Sequence, residues 1–270
     1  MDETDTSKAI WTFEGFDPSS YDEVLSRSMK PLSSNAVIEQ LLSSVPLDAG
    51  SQIVDAACYD ASRSLPLSDR VGCRLVGVDI SPHGADARRS SVSDFTNAGR
   101  LMFVQGRIEA LPLADAVADL TWCTDAISCA DCSSVTRELA RVTRRGAWVI
   151  LQATSATGQL CPEERAWLFR MLGLAEESVD RNSIELACAD AGLEIQERVR
   201  LGNQSLQSRL ERPGSGPSEL LTVARLTEYS ERYIAQWGEL WYQRVLAWES
   251  WALYHALGKL EDHIWLFHRP

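Results

Sequence analysis

At 270 residues, with 45% hydrophobic and 24% charged side chains, the chain holds enough apolar material for one substantial core. Its net charge of -12, from 38 acidic against 26 basic side chains, repels phosphate backbones at long range. That weighs against a dedicated nucleic-acid binder. The acidic N-terminus, MDETDTSKAIWTFEGF, lacks the basic and apolar regions of a secretory signal. No apolar run approaches the ~18 residues that cross a bilayer. Seven irregularly spaced cysteines read as reduced thiols and not as a disulfide framework. A cytoplasmic protein with no membrane partner is the expectation.

In chain order, residues 20–45 carry apolar positions at helical spacing broken near Pro31, which predicts two helices. A buried strand follows over Ser51–Ala57, a second over Cys73–Ser81, a third over Arg100–Gly106 and a fourth over Asp119–Asp125. Ser133–Gly146 places Val135, Leu139 and Val142 on one helical face and ends in a glycine suited to a C-cap. Ala147–Thr154 is the fifth strand. Strands alternating with helices over ~100 residues predict a mostly parallel sheet wound on both faces. Beyond it come helical pattern over 160–191, a late strand over Leu193–Leu201, and a Gly/Pro-rich stretch at Glu211–Glu219. A long aromatic helical region, Leu220–Leu260, precedes a last apolar strand at Ile264–His268.

Several strings, in this order, carry a family resemblance. Asp55-Ala56-Ala57-Cys58-Tyr59-Asp60-Ala61 stands where an acidic residue and a glycine-rich loop (D-x-G-x-G-x-G) would end the first strand. Asp79, in LVGVDIS, ends the second. Gly106-Arg107-Ile108-Glu109-Ala110-Leu111-Pro112-Leu113 is similar to G-D-A-E-x-L-P-F, and Ala118-Asp119-Leu120-Thr121 to F-D-L-V. Arg137 to Ala147 is similar to R-E-x-x-R-V-L-R-P-G-G. Together they resemble the class I methyltransferases that depend on S-adenosylmethionine, in particular bacterial enzymes acting on small molecules.

The resemblance implies an α/β Rossmann-like fold with a central, mostly parallel seven-stranded sheet. It divides the chain into N-terminal lid helices (1–48), a core (49–203), a helical aromatic cap (204–260) and a last core strand (261–270). It implies S-adenosylmethionine as cofactor, held by Asp55, Ala57, Tyr59, Asp79, Ile80, Arg107 and Ile108, with Tyr21 of the lid closing over it.

The departures from the pattern are as informative. Glycines let a loop turn tightly and approach a cofactor without a Cβ in the way, and Ala57, Tyr59 and Ala61 replace all three. Either Tyr59 points aside and the cofactor still binds, or its ring fills part of the pocket. Arg107 replaces an aspartate expected to accept from the adenine amino group, and arginine only donates. It is a solvated loop residue, or it stacks on a ring or binds an anion. Asp79 is a ribose ligand, or a turn aspartate before Ser81-Pro82.

Methyl transfer needs a positioned nucleophile and often a base for its proton. The candidates are Asp125, Cys129 and His255. Each also has a plainer reading, as a strand-end carboxylate, an unperturbed thiol and a structural histidine. Cys129 and Cys132 share a two-residue spacing without a second paired motif, so no metal is expected. Trp237, Trp241 and Trp251 belong to an aromatic series at helical spacing that faces the core, a second copy of the chain in a homodimer, or a substrate.

Three functions follow. One is methyl transfer to a small molecule of specialised, natural-product metabolism. The second is a methyltransferase scaffold turned to a non-methylating reaction such as cyclisation or isomerisation. The third is a non-catalytic binding partner.

Overall fold

The computed structural model describes residues 33–81, 101–202, 204 and 218–270. Tyr21, the first of the two N-terminal helices and the Gly/Pro-rich stretch up to 217 lie outside the described residues. Elements are numbered within the described part.

Helix α1 (Ser34–Leu42) starts at Ser33, whose hydroxyl accepts from the Ala36 amide at 3.2 Å and satisfies one of the first-turn donors. Its Val37, Ile38, Leu41 and Leu42 fall at helical spacing and are all buried. Strands β1 (Gln52–Ala56), β2 (Arg74–Asp79), β3 (Leu101–Gln105) and β4 (Ala118–Thr124) follow, with α2 (Leu65–Val71) between β1 and β2. Then come α3 (Cys132–Val142), β5 (Thr143–Ala156), α4 (Pro162–Leu172), α5 (Arg181–Asp190) and β6 (Glu194–Gly202). Three helices, α6 (Ser218–Glu228), α7 (Ser230–Trp237) and α8 (Glu239–Ala256), lead into the last strand, β7 (Leu260–Arg269).

The strands form one seven-stranded sheet in the order β3-β2-β1-β4-β5-β7-β6. Pairing is parallel from β3 to β5, and β7 runs antiparallel between β5 and β6. Side chains alternate between faces. Val149 and Leu151 of β5, with Trp265 and Phe267 of β7, pack on α3 and α5. Ile150 of β5, with Ile264 and Leu266 of β7, packs on the opposite face with α1 and α2. A third apolar cluster joins α4 and α8 around Leu168, Phe169, Ala247 and Leu260. This doubly wound architecture is the one the resemblance implied.

Two expectations need correcting. The helix placed over Ser133–Gly146 ends at Val142, and β5 already begins at Thr143. The Thr143 hydroxyl donates to the Leu139 carbonyl at 2.6 Å and faces the Thr121 hydroxyl of β4 at 2.5 Å, while Arg144 pairs with Asp119. Gly146, at φ 77°, therefore sits inside the strand, near the register irregularity between β4 and β5, and is no C-cap. The aromatic region read as one stretch is three helices, broken at Tyr229 and at Gly238, which takes φ 79°. No helix among the described residues is long and apolar enough to cross a membrane.

Candidate active site

The winding direction reverses between β1 and β4, and in open α/β sheets the crevice beyond the C-terminal strand ends at such a point is where ligands bind. The loop after β1 has an unusual backbone there. Ala57, Tyr59 and Ala61 adopt φ of 62°, 47° and 56°, the left-handed region that costs a residue with a Cβ about 1–2 kcal/mol. These are the three positions at which the resemblance places glycines. The loop thus keeps a glycine loop's course with side chains attached.

Its surroundings hold it there. The Tyr59 amide donates to Asp79 Oδ2 at 2.8 Å, the Cys58 amide donates to the Val78 carbonyl at 3.1 Å, and Asp79 Oδ1 accepts from the Ser81 amide at 2.8 Å. Beneath the loop, Asp55 is only 3% exposed and accepts from the Ser64 hydroxyl at 2.5 Å, tying the end of β1 to the start of α2. Burial pushes its pKa up to about 7, against the opposing effects of Ser64 and Arg63. Gly77 lets the sheet approach: a Cβ there would lie 2.6 Å from Cys58 Sγ.

Side chains that the sequence places around a cofactor are distributed as follows. Tyr59 is 58% exposed, so its ring is not sunk into the core. Ile80 is exposed, whereas Ile108 packs against the main core. Arg107 is exposed and pairs with Glu109 at 2.8 Å. The loop carrying both is clasped from α3. Glu138 accepts from the Leu111 amide, and Arg141 donates to the carbonyls of Leu111 and Leu113 and pairs with Asp115 and Glu138. That clasp explains the R-E-x-x-R string as a support for the loop.

Across the crevice, Asp125 follows β4 at φ 59°. Its amide donates to the Gln152 carbonyl at 3.0 Å, and Oδ1 accepts from Gln152 Nε2 at 3.0 Å. Oδ2 accepts from Arg63 Nη1 at 2.7 Å. Both charged side chains remain 41% exposed. Partial desolvation holds the Asp125 pKa above the usual carboxylate range; Arg63 opposes that shift, Asp262 adds to it, and His255 weakly opposes it. Gln152 Oε1 is buried without a hydrogen-bond partner among the described residues, an unusual state for a buried carbonyl.

His255 is buried near the end of α8. Nδ1 faces the Trp251 carbonyl at 3.0 Å and Nε2 faces Asp262 Oδ1 at 3.1 Å, where the Thr154 hydroxyl also donates at 2.8 Å. Both ring nitrogens thus face oxygen atoms, one of the backbone and one of a carboxylate. Cys129 is exposed on the 3-10 turn Ile127–Cys129, and its Sγ lies 3.9 Å from Ser128 Oγ. Trp237 packs on Tyr233 at 4.8 Å between centroids, Trp241 lines an open groove, and Trp251 packs in the cap core. The structure brings Asp125 into the crevice but does not gather these three tryptophans around it. Among the described residues no cluster of three or more His, Cys, Asp or Glu is arranged to hold a metal ion.

Arg63, Ser64, Gln152, Thr154 and Asp262 were missed in the sequence. Arg63 and Ser64 follow the altered loop closely enough to have drawn attention, whereas Gln152 becomes visible only through strand register.

Comparison with known proteins agrees with this architecture. A family described as "Methyltransferase domain" matches residues 54–151. A malonyl-[acyl-carrier protein] O-methyltransferase from Enterobacter lignolyticus is 32% identical over 132 residues, covering 48% of this chain and 49% of the relative. The enzyme of that name from Pectobacterium atrosepticum is 34% identical over 133 residues, 48% of each chain. The chain thus spans about half the length of the curated relatives it matches. Among solved structures, the geranyl diphosphate C-methyltransferase from Streptomyces coelicolor A3(2), in complex with Mg2+, geranyl diphosphate and S-adenosyl-L-homocysteine, superposes with a TM-score of 0.64 at 15% identity, covering 87% of this chain and 80% of that one. The [4+2]-cyclase SpnF superposes with a TM-score of 0.67 at 14% identity, covering 90% and 86%. Over residues 54–151 the chain is thus similar to a methyltransferase domain, and its fold is the one shared by these solved structures.

Proposed function

We propose that the chain is an enzyme that binds S-adenosylmethionine in the crevice at the ends of β1 and β2 and methylates a small molecule. The carrying observation is the loop at Ala57, Tyr59 and Ala61, which keeps three left-handed residues despite their side chains. A loop relieved of any ligand duty has no reason to retain that cost. Asp79 supports the same reading: each oxygen accepts one backbone amide, and a carboxylate has further lone pairs for two hydroxyls. These residues would hold the cofactor, with Asp79 toward its ribose and the backbone of the loop beside it. When bound, the cofactor supplies an electrophilic methyl group.

The chain's own part is positioning and proton removal. Asp125, with its raised pKa, its half-open carboxylate and its anchor on Gln152, would orient the acceptor atom and take its proton. The malonyl-[acyl-carrier protein] and geranyl diphosphate methyltransferases it resembles support methyl transfer as the reaction class, with the substrate left to experiment.

Calorimetric titration with S-adenosylmethionine tests the reading. Saturable binding, lost in Asp79→Ala, and a product heavier by a methyl group support it. Absence of binding at millimolar cofactor sinks it.

A second reading keeps the scaffold without methylation. The three added Cβ atoms favour it, and the likeness to a [4+2]-cyclase gives a solved example of this fold carrying that name. Turnover of a substrate without cofactor would select it.

A further inference from the structure

A groove built between the last turn of α4 and the outer half of α8 is a second feature. It has a volume of about 590 Å3, with Met171, Leu172, Trp241 and Trp248 as apolar walls. Trp241 and Trp248 are 60% and 71% exposed, an unusual cost for two indoles in one groove. Arg170 and Arg244 also line it, together with Glu249. Neither arginine forms an ion pair among the described residues. Arg244 instead lies over the Trp241 ring, 5.3 Å from its centroid. Two cations that form no ion pair among the described residues, against the one carboxylate of Glu249, give the groove a positive balance on a chain of net charge -12.

The spacing on α8 extends the feature. Trp241, Arg244, Trp248, Trp251 and His255 recur at steps of three and four, so they share one helix face about 21 Å long. Its inner end is buried against Asp262 and its outer end is open. An open apolar strip flanked by cations matches a ligand with an extended apolar body and a negative head.

We propose that this groove binds an anionic amphiphile, a carboxylate or phosphate on an unbranched apolar chain. Arg170 and Arg244 take the charge, and Trp241 and Trp248 cover the chain. The proposal does not depend on methyl transfer.

The full chain would be titrated with dodecanoate, dodecan-1-ol and dodecyltrimethylammonium, each below its micelle-forming concentration, by tryptophan fluorescence and calorimetry. Dodecanoate should bind saturably and roughly ten-fold more tightly than the alcohol, with the ammonium weakest. Arg170→Gln combined with Arg244→Gln should erase that preference. Trp248→Ala should weaken all binding while leaving the unfolding midpoint unchanged, since this side chain is exposed. Equal affinity for acid and alcohol, or affinities unmoved by the groove variants, would overturn the proposal. So would sedimentation showing a dimer that Trp248→Ala dissociates together with no dodecanoate binding, which would assign the groove to a second copy.

Discussion

Arg63 and Asp125, 62 residues apart in sequence, are joined by a 2.7 Å ion pair that bridges the crevice from the end of the altered loop to the end of β4. The guanidinium also counters the buried charge of Asp55. One cation thus serves two carboxylates that belong to opposite walls of the candidate active site.

Replacing that cation should move Asp125. Arg63 lowers its pKa, so Arg63→Met should raise it, and the acidic limb of a pH–rate profile should shift to higher pH. Stability should change by less than about 1 kcal/mol, since both partners are well exposed. A profile unmoved by Arg63→Met would remove Asp125 from the reaction. Asp125→Asn should reduce turnover by about 10²–10⁴-fold, as expected for loss of a general base.

The loop's backbone carries its own prediction. Ala57→Gly should stabilise the fold by up to about 1 kcal/mol, because φ 62° is freely accessible to glycine, though glycine's greater unfolded entropy takes part of the gain. Tyr59→Gly should gain similarly, and calorimetry should show tighter cofactor binding once the ring is removed. Denaturant midpoints of the two variants check the first statement. A loss of stability in Ala57→Gly would mean that the loop is not left-handed there.

Asp55 makes stability depend on pH in a known direction. Its folded pKa is about 7, against 3.8 for the free side chain, so between these values the folded protein holds a proton that the unfolded chain has released. Stability from this group is complete below pH 3.8 and falls as pH rises toward 7, with a slope of at most about 1.4 kcal/mol per pH unit. Asp55→Asn should flatten that fall, and unfolding curves at pH 5 and pH 8 would show it. Ser64→Ala should carry the fall to higher pH, since the hydroxyl stabilises the charged form.

Gly77 should tolerate no side chain. An alanine Cβ would meet Cys58 Sγ at 2.6 Å and the Phe103 ring at 3.2 Å, and overpacking of this kind costs about 1–3 kcal/mol. Cys58→Ala in the same chain should recover part of the loss, which a double-mutant cycle would measure as coupling.

Much of this architecture was legible in the sequence because buried parallel strands are short apolar runs and α3 repeats its apolar positions regularly. Gly146 was misread because a glycine after a helical pattern suits a C-cap and a strand irregularity equally. The partners of Asp125 were hidden for a different reason. Arg63 reaches it through tertiary structure, and Gln152 through the pairing of β4 with β5, neither of which leaves a local trace. The left-handed φ at Tyr59 was hidden because its residue type argues against that conformation, and only neighbours such as Asp79 impose it.

The register between β6 and β7 has a consequence for how this protein can diversify. Gly202, the last residue of β6, pairs with Asp262 near the start of β7, so the whole helical cap leaves and re-enters the sheet between hydrogen-bonded neighbours. Such an excursion behaves as one long closed loop, and lengthening it adds little closure entropy. Helices there can be lengthened, shortened or exchanged while the ladder beneath keeps its pairing. The pairing of β6 with β7 is thereby uncoupled from the length of the segment between them.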